Sequence, residues 1–108
     1  MTQTCDPNRG DKIIVHVDPD LKDLVPGFLK NRRKDVKSLV AAVERSDYET
    51  IEALGHTMKG DGGGYGFHAI TDIGGSLEKA ASNKNLQEIR KWVKQLSVYL
   101  ESVEIVYK

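Results

Sequence analysis

Apolar residues recur at every third or fourth position along most of the chain, which is the period of an amphipathic α-helix with one buried face. Four such runs are separated by short segments that are polar or rich in glycine. The runs predict helices over residues 28–45, from Ser46 to the glycines around 60–66, over 67–81 and over 86–103. Because short turns join these helices, the pattern predicts an all-α fold, an antiparallel up-and-down four-helix bundle.

A short N-terminal helix is predicted to precede the bundle. Asp18 can cap this helix and Pro19 suits its first position, so we expect a helix that reaches about Val25. The dipeptide Pro26-Gly27 is then expected to interrupt the helical path before the first long helix begins.

The segment before this short helix shows no helical period. Residues 1–12 are mostly polar and contain a proline and a glycine, which predicts a flexible N-terminal segment. Residues 13–17 are mostly β-branched and would suit a short strand. Since no second convincing strand is evident, we expect this segment to pack along the helices. We interpret His16 within it as structural or exposed.

Polar residues mark two predicted helix starts and one helical face. Ser46 with Glu49, and Asn85 with Glu88, have the spacing of a capping box. The charged run over residues 30–35 is interpreted as a solvated helical face, because acidic residues are interspersed nearby and no aromatic platforms accompany it.

The amino-acid composition argues against several classes of binding partner. The 16 lysine and arginine residues balance the 16 aspartate and glutamate residues, so there is no global basic field for nucleic acid or an anionic membrane. No apolar stretch approaches the roughly 20 residues that span a bilayer. The single cysteine, Cys5, allows no intrachain disulfide, which is consistent with a reducing compartment. We therefore expect a cytoplasmic protein that binds neither nucleic acid nor membrane.

His56 stands out within the second predicted helix. Ile51, Leu54 and Met58 form the buried stripe, and at about 100° per residue His56 points roughly 140° away from its centre. We therefore expect the imidazole to face solvent or a partner. Its predicted neighbours on the helix surface are Glu52, Lys59, Gly60 and Gly63. Glycine inside a helix costs about 1 kcal/mol relative to alanine, so open space beside the imidazole must serve some purpose.

Other kinds of site fit the sequence poorly. Residues 64–69 match the degenerate G-x-G-x-x-A pattern, but a dinucleotide site needs a preceding parallel strand, and the preceding segment here is helical. No Gly-Lys-Ser/Thr triplet forms a phosphate-binding loop, and no serine lies on a nucleophile elbow. The possible metal ligands are scattered, which predicts no metal site. These are Cys5, His16, His56 and His68.

The remaining interpretation is that His56 itself is a nucleophile. An exposed imidazole is largely neutral at pH 7, so one ring nitrogen has a lone pair that can attack phosphorus. Phosphoryl transfer needs in-line access and positive charge near the phosphoryl oxygens. Gly60 and Gly63 would provide the access, and Lys59 would provide the charge. The competing interpretation is an ordinary surface histidine, which does not readily explain the glycines.

These residues resemble the histidine-containing phosphotransfer (HPt) domain, whose core motif is His-x-x-Lys-Gly followed by a later glycine. The motif stands here as residues 56–60, with Gly66 as the later glycine. The resemblance covers about residues 13–104, and residues 13–108 would form the HPt-like domain. One departure is the segment 61–64, which is richer in glycine than in many members of the family.

The resemblance implies a phosphocarrier without turnover of its own. His56 would accept a phosphoryl group from a receiver-domain aspartate, or from a kinase, and pass it to another receiver. Lys59 would orient or neutralise that group, and Gly60 would keep the approach clear. The chain would need no cofactor of its own, since the receiver would bring Mg²⁺.

The expected partners are receiver domains of response regulators and hybrid histidine kinases, and we expect the chain itself to be a monomer. Docking should cover the His56 face, with Glu52, Ala53, Gly60 and Gly63 among the contact residues. The alternative is a helical adaptor that binds a kinase or response regulator without carrying phosphate.

Overall fold

Four α-helices and two short strands make up the computed structural model, which describes residues 12–107. The predicted flexible segment 1–12 lies almost wholly outside the described residues. In chain order the elements are β1 (Ile13–Val17), a 3-10 turn (Pro19–Leu21), α1 (Val25–Glu44), α2 (Tyr48–Gly62), a second 3-10 turn (Gly63–Tyr65), α3 (His68–Ser82), α4 (Leu86–Ser102) and β2 (Val103–Tyr107).

The four helices form the body of the molecule, as the sequence predicted. Consecutive helices contact one another, and α1 also contacts α4, so the helices close around one core. The short connections make sequential neighbours antiparallel. The core consists of apolar side chains on the inner stripe of each helix. Those with essentially no exposure include Leu39, Ile51, Met58, Ile70, Leu77, Ile89 and Leu96, and Phe67, directly before α3, is also fully buried.

The prediction of an all-α fold was wrong at the chain ends. Strands β1 and β2 pair in parallel, with Ile13 opposite Val103 and Val17 opposite Tyr107. The final helix therefore ends one residue before Val103. Val103 lies three positions after Leu100, so it fits the apolar stripe of the helix. It also begins the segment Val-Glu-Ile-Val, which is rich in β-branched residues and favours a strand.

The predicted short N-terminal helix is a single 3-10 turn. Asp18 does cap it, because its Oδ1 accepts a hydrogen bond from the backbone N–H of Asp20 at 2.9 Å. The turn ends at Leu21, however, and does not continue to Val25. Pro26 lies in the first turn of α1 and does not interrupt it, since that position needs no N–H donor.

The cap of α2 is one residue later than the predicted Ser46. Ser46 has a positive φ of 53°, so it belongs to the turn. Asp47 caps the helix by accepting hydrogen bonds from the Thr50 backbone N–H at 3.2 Å and from the Thr50 hydroxyl at 2.7 Å. The same bonds lower the pKa of Asp47. At α4 the predicted cap is confirmed, because Asn85 accepts from the N–H of Glu88.

Arg32 departs from the solvated face predicted for residues 30–35. Its exposure is only 8%. The guanidinium lies 2.8 Å from Asp35 Oδ2 and 3.5 Å from Asp61 Oδ2, and 5.0 Å from the centre of the Phe28 ring. Burial is the main cause that raises the pKa of Asp35. The cluster joins α1 to the last turn of α2, so it holds the end of the helix that carries His56.

Helices α2 and α3 approach each other at three glycines, one of which is Gly62, where an added Cβ would lie 2.7 Å from the backbone nitrogen of Thr71. A Cβ atom added to Gly74 would lie 2.5 Å from the backbone nitrogen of Lys59 and 2.7 Å from the backbone oxygen of Gly55. A Cβ on Gly55 would lie 2.7 Å from both the Gly74 oxygen and the Glu78 nitrogen. These neighbours are backbone atoms that cannot swing away. The contact therefore requires glycine on both helices.

We expect Gly74→Ala to lower the free energy of unfolding by about 1–3 kcal/mol, because the added methyl group would force α2 and α3 apart. Gly60 is the matched control, since nothing lies within 4 Å of a Cβ added there. Gly60→Ala should leave stability unchanged or raise it by up to about 1 kcal/mol. Urea denaturation of both variants tests this expectation, and equal stability of the two would contradict it.

Candidate functional site

The side chain of His56 projects from the outer face of α2 and is 74% exposed. Its orientation follows from the helix, because Ile51 and Met58 occupy the opposite stripe and are fully buried. The buried stripe fixes the rotation of α2 about its axis. The imidazole is thus held at the surface by a helix that cannot turn.

Glu78 on α3 holds the imidazole from one side. Its Oε2 lies 2.9 Å from His56 Nδ1, and its Oε1 lies 3.7 Å from Lys59 Nζ. One carboxylate therefore bridges the histidine and the lysine. The Glu78 side chain is only 26% exposed, against 57% for Lys59 and 74% for His56, so the carboxylate is the least exposed member of the three.

This bridge selects the tautomer of His56. An ionised carboxylate only accepts hydrogen bonds, so we assign the ring proton to Nδ1, which donates to Glu78. In the neutral ring the lone pair is then on Nε2. Since Nδ1 is hydrogen-bonded to Glu78 of α3, Nε2 is the ring nitrogen with a free lone pair.

Lys59 lies along the surface of α3 before it reaches Glu78. Its Cδ would be in ordinary van der Waals contact, at 3.6 Å, with a Cβ added at Gly75, so the aliphatic stem lies along α3 at this position. A shallow groove of about 440 Å³ borders the pair, and Glu52 and Glu78 are among its lining residues. Lys59 therefore lines a groove that also has carboxylates from α2 and α3 in its wall.

The structure places the other sequence-predicted residues on the same exposed face. Glu52, Ala53 and Gly60 are exposed on α2, and Gly63 is exposed where the 3-10 turn begins. A Cβ at Gly60 would meet nothing within 4 Å, and one at Gly63 would meet only the Thr71 hydroxyl at 3.6 Å. The fold therefore does not require glycine at either position.

Sequence reasoning did not identify Glu78 as a site residue. Its contact with His56 depends on how far α2 and α3 are shifted along each other, and one helical pattern does not contain that information. A partial signal was present. Gly55 and Gly74 interrupt otherwise good helices, and Lys59 and Glu78 each lie four positions after one of them.

The other histidines do not join the site. His16 is exposed in β1, and His68 is the exposed first residue of α3. Within residues 12–107 no group of three or more His, Cys, Asp or Glu side chains could hold a metal ion. Over the same residues no helix is both long and apolar enough to cross a membrane.

Comparison with known proteins identifies the family. Searches of curated proteins and of solved structures found no match. A family model described as Hpt domain matches residues 23–104, a range that contains all four helices together with His56, Lys59 and Glu78. Because the match covers well over half of the chain, the chain belongs to the Hpt domain family, the phosphocarrier modules that work with receiver domains in two-component signalling.

Proposed function

We propose that this protein is a phosphorelay intermediate that carries a phosphoryl group on Nε2 of His56. One observation carries the proposal: Nδ1 of the exposed imidazole lies 2.9 Å from one carboxylate oxygen of Glu78, while Lys59 Nζ lies 3.7 Å from the other oxygen. This arrangement leaves a reactive nitrogen facing outward, with a positive charge beside it.

The transfer step follows from this geometry. The Nε2 lone pair attacks the phosphorus of a receiver aspartyl phosphate, and the P–O bond to the aspartate breaks, with its electron pair returning to the carboxylate. The ring becomes positively charged, because Nδ1 keeps its proton. Glu78 stabilises that charge through the hydrogen bond, so the step needs no separate base.

Lys59 would act once phosphate arrives. Its ammonium group is 3.7 Å from Glu78, longer than a good charge-assisted hydrogen bond, and it remains more than half exposed. A phosphoryl group on Nε2 offers stronger acceptor oxygens with more negative charge. Lys59 can then turn toward the phosphoryl group while its stem stays on Gly75.

The exposed glycines support docking of a receiver domain over His56. Gly60 has open space above it, and Ala53 and Gly63 present little or no side chain on the same face, so another backbone can approach closely. We expect the receiver to supply Mg²⁺ and the aspartate, with Glu52 at the edge of the contact. Receivers of response regulators and of hybrid histidine kinases are the proposed partners, in the cytoplasm.

His56→Gln should abolish phosphoryl transfer without loss of fold, because glutamine keeps a polar side chain on an exposed helix position but offers no ring nitrogen. His68→Gln is the matched control, since His68 is also an exposed helical histidine. The measurement is incubation with a phosphorylated receiver, followed by assay of acid-labile, base-stable phosphate on the chain.

Wild type and His68→Gln should be labelled equally. Labelling of His56→Gln at the wild-type level would contradict the proposal. A chain that binds the receiver but never acquires phosphate would favour the adaptor instead.

Glu78→Gln should slow transfer about fivefold, since an exposed charge-assisted hydrogen bond contributes about 1 kcal/mol. Glu78→Ala should slow it further, because alanine also removes the acceptor. Asp72→Asn is the control, as it removes one exposed carboxylate elsewhere on α3. Nitrogen-15 shifts of His56 should show the Nδ1–H tautomer losing population in the Glu78 variants. Unchanged tautomers with unchanged rates would remove Glu78 from the mechanism.

A further inference from the structure

Glu78 contacts a ring nitrogen whose charge state matters again after the phosphoryl group has arrived. Its Oε2 lies 2.9 Å from Nδ1 of His56. An ionised carboxylate accepts hydrogen bonds but cannot donate one, so this contact is a hydrogen bond only while Nδ1 is protonated. In the free chain that proton belongs to a neutral ring. Once Nε2 carries phosphate, the same proton makes the ring cationic.

The proton on Nδ1 decides how easily the phosphoryl group leaves His56. When an oxygen nucleophile attacks the phosphorus, a P–O bond forms, the P–Nε2 bond breaks and its electron pair returns to Nε2. A ring that is protonated at Nδ1 leaves as neutral imidazole. A ring without that proton would have to leave as an imidazolate anion, which is a far poorer leaving group. This difference is the reason that phosphohistidine is labile in acid and stable in base.

The charged groups around His56 leave the ring proton under the control of Glu78. In the described part of the chain, Glu78 is the only charged side chain that pairs with the imidazole. Lys59 and Glu52 on α2, and Lys79 on α3, line the adjoining groove together with Glu78. The two lysines oppose a cationic ring and Glu52 favours one. Because a Coulomb interaction weakens with distance, the carboxylate in contact has the largest effect.

We propose that Glu78 keeps phosphorylated His56 in its cationic, readily discharged form at neutral pH, so that the chain passes phosphate on quickly and does not store it. The inference rests on the proposed phosphocarrier function and adds what happens to the phosphoryl group after it arrives. Glu78 is a positioning residue in this step, because it acts through the ring proton. Glutamine would not replace it, since an amide can also donate a hydrogen bond to an unprotonated Nδ1 and so stabilise the neutral ring.

Hydrolysis of the phosphorylated chain tests this role without a receiver. Phosphoramidate phosphorylates accessible histidines, and a background with His16→Gln and His68→Gln leaves His56 as the only one of the chain's three histidines. Phosphorus-31 NMR then follows the loss of the phosphohistidine signal as the pH is varied. Glu78→Gln in this background should slow hydrolysis about fivefold near pH 8. The two rates should converge near pH 5, because either ring is then protonated.

Asp72→Asn is the matched control in the same background. It also removes one exposed carboxylate from α3, but Asp72 does not pair with the imidazole. Its hydrolysis rates should equal those of the background chain at every pH. A merely structural role of Glu78 would change the rate by one factor at every pH, or would not change it. Either of those results would overturn the proposal, and so would an Asp72→Asn chain that behaves like Glu78→Gln.

Discharge of the chemically phosphorylated chain to an unphosphorylated receiver with Mg²⁺ separates this role from the proposed function. Glu78→Gln should slow the discharge about fivefold near pH 8. If no receiver takes phosphate from His56 but Glu78→Gln still slows hydrolysis only toward high pH, the phosphocarrier proposal is wrong and the role of Glu78 stands. If receivers exchange phosphate with the chain but Glu78→Gln leaves the pH profile of hydrolysis unchanged, the phosphocarrier stands and the role of Glu78 in discharge is wrong.

Discussion

The close approach of α2 and α3 is the constraint on which the candidate site depends. Gly55 and Gly74 leave no room for a Cβ atom on either helix, so the two backbones touch and their shift along each other is fixed. This shift brings Glu78 within 2.9 Å of His56, although 22 residues separate them in sequence. The contact between Glu78 and the exposed His56 ring is thereby set by backbone packing in the interior.

The far end of α2 is held by a different set of interactions. Arg32 contacts Asp61, and the Phe28 ring stacks on Tyr65 at 4.3 Å and on Phe67 at 5.4 Å. Gly66, with a φ of 88°, then turns the chain into α3, a conformation that favours glycine. The glycine-rich segment 60–66 is therefore anchored by Asp61 and by Tyr65, although its exposed glycines have no side chains that pack on the core.

Most of the helical architecture could be predicted from the sequence, because the apolar period and the cap at Asn85 are local properties. The errors share a physical cause. Val103 satisfies both a helical stripe and a strand, and only pairing with the distant segment Ile13–Val17 decides between them. The sequence predicts a solvated Arg32, because the contact of its guanidinium with Asp61 depends on the packing of α1 against α2. His56 and Lys59 were identifiable from one helix, whereas Glu78 required the packing of two.

Because Glu78 holds Nδ1 of His56, we propose that Nε2 is the nitrogen that carries phosphate. Two-dimensional nitrogen-15 and phosphorus-31 NMR of the phosphorylated, histidine-labelled chain tests it most directly, because scalar coupling identifies the nitrogen bonded to phosphorus. We expect one phosphohistidine signal, coupled to Nε2 of His56, with Nδ1 still protonated. A phosphorus coupled to Nδ1, or to either of the other histidines, would contradict it.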